Sequence, residues 1–305
     1  MKVLVTGGLG HIGSYVLKRI ISLKIIDKIY VVDNISNQRY NVLFKLSNKK
    51  IKFIYGDLSK NETIKTIPKA NITLHLASKT NAEESFENKK EIIKNNLGAF
   101  KNVIGYCKKN NSKLIHISST SIYNPRKNFI TELEIPNPQS PYAEIKLKEE
   151  NILRKSKDIR FITLRFATIS GYSDGMRFHT VVNKFCFNSV MNIPIPIWGS
   201  ALNLVRPYLS LKDAYKVITY LIKKNYFDNN IYNVLSENKS LKEILQIIKK
   251  YSFSTKIKFI KSKILQRASF KTSKSKIQSL GINLNSKIEN DIRETVDKIK
   301  LRNYK

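Results

Sequence analysis

The stretch "SPYAEIK", Ser140 to Lys146, sets a tyrosine and a lysine four residues apart. On a helix those two positions share a face. Pro141 suits the first turn, where its missing N–H costs nothing, and Ser140 is a natural N-cap. A free phenol has a pKa of about 10 and is a poor base at neutral pH. A neighbouring ammonium favours the phenolate and lowers that value, so Tyr142 beside Lys146 could exchange protons with an alcohol or a ketone. An ordinary amphipathic helix would carry the same pair, so a partner is needed. "LIHISSTSIYN" offers one: Ser118 and Ser119 close an apolar run, and a hydroxyl there could hydrogen-bond the reacting oxygen.

A second chemical signal opens the chain. "VLVTGGLGHIG" places Gly7, Gly8, Gly10 and Gly13 between a strand-like run and a helix-like one. The whole chain has 11 glycines, so this cluster is not background. Glycines at such a turn let the backbone approach a pyrophosphate, and the helix start supplies unpaired N–H groups and a positive dipole end. Asp33, in "VVDN", stands about 20 residues beyond the loop, where a carboxylate accepts hydrogen bonds from an adenosine ribose and repels a 2′-phosphate. NAD is therefore expected over NADP, with Arg39 the one nearby residue that could soften the preference. Asp57, in "YGDL", is expected either to reach the adenine or to cap a helix.

These residues need a scaffold. "KVLVT", "KIYVVDN", "IKFIYGD", "NITLHLAS", "KLIHISS" and "RFITLRF" are six apolar, β-branched runs of strand length. Helical spacing separates most of them, as at Ile12, Val16, Ile20 and Leu23. Strands alternating with helices predict a doubly wound parallel sheet covered on both faces. Past about Gly171 the pattern breaks into Pro-, Gly- and Trp-containing segments. Two strand–helix pieces follow, "IYNVLSENKSLKEILQIIKKY" and "TKIKFIKS", before a terminal helix near "SKIENDIRETVDKIK". Ser240 with Glu243 has the form of a capping box. The expected organisation is residues 1–170 for the dinucleotide and 171–305 for the substrate, with the chain crossing back to the first half.

Composition bounds the rest. A chain of 305 residues can bury a substantial core. No apolar run is long enough to span a membrane, so no membrane insertion is expected. The start "MKVLVTGG" is too short an apolar run for a secretory signal, so a cytoplasmic location is expected. Cys107 and Cys186 offer neither a disulfide framework nor a metal spacing, and no metal is expected. The net charge of +32 is spread along the chain without a basic block or a recognised nucleic-acid module. It is read as a solvated surface that steers an anionic small substrate. No specific nucleic acid is expected, and nucleic acid stays the lesser reading.

"TGGLGHIG", "VVDN", "GDL", "HLAS", "SSTSIY" and "YAEIK" together resemble the extended short-chain dehydrogenase/reductase family, in its NAD-dependent nucleotide-sugar epimerase/dehydratase branch. "LRFATISG", "NLVRPYLSLKDA" and "IYNVLSENKSLKEI" extend the likeness to about Ile248. The resemblance implies a Rossmann-type α/β fold with a smaller C-terminal α/β substrate-binding lobe. It implies that Gly7, Gly10, His11, Ile12 and Gly13 surround the pyrophosphate, and that Asp33, Asn34, Asp57 and Leu58 lie at the adenosine. Ala77, Ser78 and Asn96 would lie on the nicotinamide side, and Lys146 would hold the nicotinamide ribose. Ser119, Tyr142 and Lys146 would be catalytic, with Ser119, Thr168, His179 and Arg206 toward a nucleotide-diphosphate sugar. Arg206 would grip the diphosphate, with Trp198 and Tyr208 able to stack nearby; pairing with Asp213 is its alternative. Arg177 and Lys184 are further candidates for the sugar or phosphate. Relatives that pair through two helices of the first half imply a homodimer.

Within the family, a 4,6-dehydratase would carry Asp and Glu directly after the catalytic serine, where this chain has Thr120 and Ser121. A 3,5-epimerase/reductase would want a cysteine at Ser121. An NAD-dependent sugar epimerase is the reading that remains. A keto-sugar reductase is the runner-up, and a non-catalytic dinucleotide-binding protein with a basic RNA- or partner-binding surface is the alternative from another class. Thr168, Ser170 and Leu235 depart from common family residues, which leaves the sugar open more than the cofactor.

Overall fold

In the computed structural model, residues 1–80, 84–124, 129–252, 254–260 and 269–300 are described. The main sheet has seven parallel strands: β1 (Lys2–Thr6), β2 (Lys28–Asp33), β3 (Ile51–Tyr55), β4 (Ile72–His75), β5 (Lys113–Ser119), β7 (Phe161–Phe166) and β11 (Ile231–Val234). They lie in the order β11-β7-β5-β4-β1-β2-β3. The six runs read from the sequence are all there. The seventh strand comes from "IYNV" in the second half, paired with β7 from Ile231↔Thr163 to Val234↔Phe166. A sheet order that runs outward from β1 in both directions leaves a crevice beyond the carboxyl ends of β1 and β4. Thr6, Asp33, His75 and Ser119 stand at the carboxyl ends of their strands, around that crevice.

Both faces of the sheet are covered, which is why its strands are nearly all apolar. On one face α1 (His11–Ile20) and α8 (Leu211–Lys224) bury Val16, Ile20, Ala214, Val217 and Leu221 against Val3, Val5 and Ile162. On the other, α5 (Lys89–Asn110) and α6 (Pro141–Lys155) bury Phe100, Val103 and Leu153 against Leu4 and Leu114. Each fully buried side chain of this size contributes about 2 kcal/mol. Short helices α2 (Tyr40–Lys45), α3 (Asn61–Thr66) and α4 (Glu84–Glu87) fill the connections. Helix α1 ends at Ile20 rather than at Leu23, which packs on the same core from beyond the helix.

The remaining elements form a smaller unit against the strand ends. Here β8 (Thr168–Ser170), β10 (Val205–Ser210) and β12 (Glu237–Ser240) make one sheet. Two-stranded pairs join β9 (Ile195–Trp198) to β13 (Ile257–Ile260), and β6 (Phe129–Ile130) to β14 (Lys271–Thr272). The strand expected over "TKIKFIKS" is therefore Ile257–Ile260, with Lys261 and Ser262 outside the described residues. Helices α7 (Val181–Val190), α9 (Leu241–Tyr251) and α11 (Ile288–Lys300) enclose a separate core around Cys186, Ile244, Ile248 and Ile292. A short α10 (Ser275–Gln278) packs on β11. The capping box at the start of α9 is formed in both directions between Ser240 and Glu243. Cys107 and Cys186 are both buried and unpaired. Among the described residues no helix is long and apolar enough to cross a membrane.

Candidate active site

The glycine loop closes on itself by backbone contacts. Gly7 has φ +65°, and a Cβ there would sit 2.6 Å from Ala77 N. A Cβ on Gly13 would sit 2.6 Å from Gly8 O and 2.7 Å from Gly7 O. No neighbour could yield at either place, because the opposing atoms are main chain. Gly8 serves packing instead, under Val31 and Leu17. No side chain caps α1, whose N-cap is Gly10, so the first-turn N–H groups keep their hydrogen-bonding capacity for a ligand. Asp33 is anchored from below: its carboxylate accepts from Leu9 N at 3.0 Å and Ile35 N at 2.9 Å.

A cavity of about 430 Å³ runs from this loop to the end of β5. Gly7, Gly10, His11, Ile12, Gly13, Asp33, Asn34, Asp57, Leu58, Ala77 and Ser78 line it, as do Ser119, Tyr142, Lys146, Thr168, His179 and Arg206. The tertiary structure thus gathers all but one of the residues assigned above to the cofactor, the substrate or catalysis. Of the two further candidates, Arg177 lines the cavity and Lys184 does not. The exception is Asn96, which is buried behind the wall: its amide accepts from Lys79 N and donates to Lys79 O, both at 2.9 Å. It shapes the segment after Ser78 rather than facing a ligand. Asp57 is not a helix cap, because α3 starts at Asn61 with Lys60 as its N-cap. Its carboxylate accepts from Ser59 N at 2.8 Å in a local turn. Trp198 and Tyr208 do not line the cavity; Tyr208 is buried in the core around α7 and α9. The aromatic ring beside Arg206 is Phe270, 5.0 Å from the guanidinium. Asp213 accepts instead from Ser236 and Ser286.

At the β5 end, Ser140 caps α6 by accepting from Ala143 N at 3.2 Å, with Pro141 in the first turn, as its sequence predicts. Tyr142 and Lys146 then lie one turn apart on the cavity side. Lys146 is 3 % exposed; its Nζ donates to Ile117 O at 3.0 Å and to Glu149 Oε2 at 2.8 Å. Ser119 starts a turn of 3-10 helix, Thr120–Ile122, and accepts from Ser121 N at 3.1 Å. Beneath it, Arg165 grips Glu150 through two bonds of 2.9 and 2.7 Å and also donates to Tyr123 Oη. Ser118 donates to the same Glu150 at 2.6 Å. Burial alone would push the Glu150 pKa up, but Arg165 outweighs it and holds the carboxyl below its usual range. This strut braces the Ser118–Ser119 strand end from below.

Arg39, which sequence reading set near the cofactor, lines the cavity, and so does Thr80, which sequence reading missed. That reading also missed how far Arg177 is drawn in. Burial pushes Arg177 down to about 10; it donates to Thr80 Oγ1, and its Nε has no partner among the described residues. His179, at the cavity mouth, is pushed down to about 4 by partial burial and then by Arg177 and Arg39, so it is neutral. The connection between β8 and α7 carries this wall inward. In it Gly175 lies so close to the glycine loop that a Cβ would sit 2.3 Å from Leu9 O, which a sequence reader could have suspected only from the glycine itself.

A dinucleotide fits these residues. The glycines leave room where a Cβ would fill the cradle, the helix start is uncapped, and Asp33 is pre-positioned at the cavity edge. Curated relatives include a trifunctional UDP-glucose 4,6-dehydratase/UDP-4-keto-6-deoxy-D-glucose 3,5-epimerase/UDP-4-keto-L-rhamnose-reductase of Arabidopsis thaliana, 23% identical over 97% of this chain and 46% of that protein. The chain thus spans about half the length of that relative. Among solved structures, UDP-glucose 4-epimerase of Thermus thermophilus in complex with NAD superposes with TM-score 0.85 at 22% identity, covering 98% of this chain and 99% of that one. DesIV, a dTDP-glucose 4,6-dehydratase of Streptomyces venezuelae, superposes with TM-score 0.90 at 18% identity, covering 99% and 98%. These likenesses establish a shared fold. A profile of the NAD dependent epimerase/dehydratase family matches residues 3–234, so the chain belongs to that family and its dinucleotide is NAD.

Proposed function

We propose that the protein is a nucleotide-sugar epimerase in which Tyr142 is the acid/base, Lys146 its supporting cation and Ser119 the hydroxyl that steadies the reacting oxygen. One observation carries this over dehydration. Among the described residues lining the cavity, the only carboxylates are Asp33 and Asp57, both at the far end from Tyr142. Thr120 and Ser121 line the Tyr142 end with hydroxyls, which cannot supply the acid and base that water elimination needs.

NAD, when bound, supplies removal and return of a hydride. Tyr142 takes the proton of the sugar hydroxyl during oxidation and gives it back when the ketone is reduced from its other face. Ser119 donates to the same oxygen, so its developing charge is met by a fixed dipole. Arg177, close enough to Tyr142 to feel its charge, and Arg206 supply cations for a negatively charged substrate. The Phe270 ring, 5.0 Å from the Arg206 guanidinium, adds a cation–π contact on the protein side. In the same proposal residues 1–170 hold the cofactor and 171–305 the nucleotide sugar, with β11 returning to the first half. The protein is cytoplasmic in this reading, and two copies pair through α5 and α6; light scattering in solution tests the pairing.

The test is incubation with UDP-, GDP-, CDP- and dTDP-sugars, products read by NMR, with Tyr142→Phe as control. A new epimer without net NADH consumption, reduced about 1,000-fold by the substitution, is the expected result. Stoichiometric oxidation of NADH or NADPH with a keto-sugar would make it a reductase. NAD bound with every sugar untouched would make it a binding protein.

A further inference from the structure

Two glutamates lie side by side in α6, and both are 1 % exposed. Glu150 is accounted for by Arg165 and Ser118. Glu149 has no arginine among the described residues and does not line the cavity. Its Oε2 accepts from Lys146 Nζ at 2.8 Å and from His116 Nε2 at 3.0 Å. His116 is fully buried in β5 and its Nδ1 lies 3.2 Å from Thr163 Oγ1, so the partners put the ring proton on Nε2, toward Glu149. Burial pushes His116 down; it is neutral, and its contact with Glu149 is a hydrogen bond rather than an ion pair. A buried carboxylate is costly unless a cation and donors meet it. Among the described residues, the cation that meets Glu149 is Lys146.

We infer that Glu149 is a positioning residue of the active site, whose carboxylate, braced by His116, keeps the Lys146 ammonium charged and fixed one turn behind Tyr142. The inference rests on the reading of Tyr142 and Lys146 as the acid/base pair. The groups that face Lys146 are Glu149, Glu150 and Tyr142 from α6, His116 from β5 and His75 from β4. Burial alone would push Lys146 down; Glu149, then Tyr142 and Glu150, outweigh it and hold it above the ordinary lysine value. His75, like His116, is pushed down by burial and adds no charge at neutral pH. Two of the three Nζ–H bonds go to Ile117 and Glu149, which leaves the third for a ligand in the cavity that Lys146 lines.

Glu149→Gln keeps the shape and an acceptor but removes the charge, leaving only the lesser pull of Tyr142 and Glu150 to oppose burial at Lys146. The alkaline limb of kcat, measured with the nucleotide sugar turned over in the panel above, should move about one pH unit or more toward acid. Above the wild-type limb, turnover should fall about tenfold for each pH unit moved, while that at pH 6.5 stays within about threefold. Glu149→Asp should bring the limb back toward wild type, a rescue that simple damage to packing would not give. Calorimetry with NAD alone from pH 6 to 10 should show the affinity of E149Q weakening at lower pH than that of wild type. An unmoved limb together with an unmoved NAD curve overturns the inference. If Tyr142→Phe and Lys146→Met instead retain turnover, the acid/base reading fails, and the NAD curve still judges Glu149. Should E149Q not fold, labelled lysine Nζ resonances of the unmodified protein decide it, Lys146 being assigned by its absence in Lys146→Arg. An ammonium signal persisting to about pH 10 supports the inference, and an amine signal below pH 9 overturns it.

Discussion

The cavity wall made by residues 6–13 presents main chain: glycines that admit no Cβ and an uncapped helix start, with Leu9 N anchoring the Asp33 carboxylate beside it. The opposite wall, from the segment after β8 and from β10, presents side chains: Arg177, His179 and Arg206. The first wall is set by the conformation of a contiguous stretch, so it recognises what all dinucleotides share. The second is assembled from residues far apart in the chain and can change one side chain at a time. Polar staples hold the two together. His11 Nε2 pairs with Gly171 O at 2.8 Å, Ser173 donates to His11 O at 2.8 Å, and Gly175 N donates to Ser14 Oγ at 2.9 Å. Asp174 meets Lys18 and Lys45 at 2.5 and 3.1 Å. In the proposed reading the first wall holds the cofactor and the second, clipped onto it, meets the sugar nucleotide.

The largest expected effect tests the first wall. Gly13→Ala drives a Cβ into two carbonyl oxygens of the loop, so NAD affinity by calorimetry should fall about 100-fold or more, because the loop must open to relieve the clash. A loss within threefold would mean that the wall is not backbone-determined. On the second wall, Arg206→Ala should raise KM for the nucleotide sugar about tenfold to 100-fold, the worth of a charged hydrogen-bonding contact. It should leave kcat and NAD affinity near wild type. If NAD affinity falls instead, Arg206 serves the cofactor and the division between the walls is wrong.

The smallest effect concerns the joint behind the second wall. Ser170 and Ser210, partnered in register on β8 and β10, both donate to Asp291 of α11, at 2.7 and 3.0 Å. Burial pushes Asp291 up to about 7. A carboxyl whose folded value exceeds its unfolded one stabilises most when protonated, and that contribution is lost as pH rises from the ordinary aspartate range through about 7. The melting temperature of the wild type should therefore fall by a few degrees (roughly 3–6) between pH 5 and 8, and Asp291→Asn should flatten the change. A wild-type curve already flat over that window would remove Asp291 from the account.

Much of this was legible in the chain because it is local. The cap of α6, the capping box of α9, the glycine turn and the six strands depend on residues within a few positions of one another. Contacts between elements were not legible. Asn96 looked like a cofactor contact but is spent on Lys79, and Asp57 turns its own loop rather than capping α3. The Glu149–His116 pair joins α6 to β5. Its only traces in sequence are a histidine inside the apolar run "KLIHISS" and a glutamate three residues beyond Lys146.

By itself the sequence determined a parallel α/β sheet, a dinucleotide loop and a tyrosine–lysine helix, because periodicity, turn chemistry and capping act over short stretches of backbone. The tertiary structure alone decided which cations close the cavity, which carboxylates stay out of it and what holds Lys146. Those outcomes depend on burial and on charges brought together from distant positions, and burial exists only once the chain has folded.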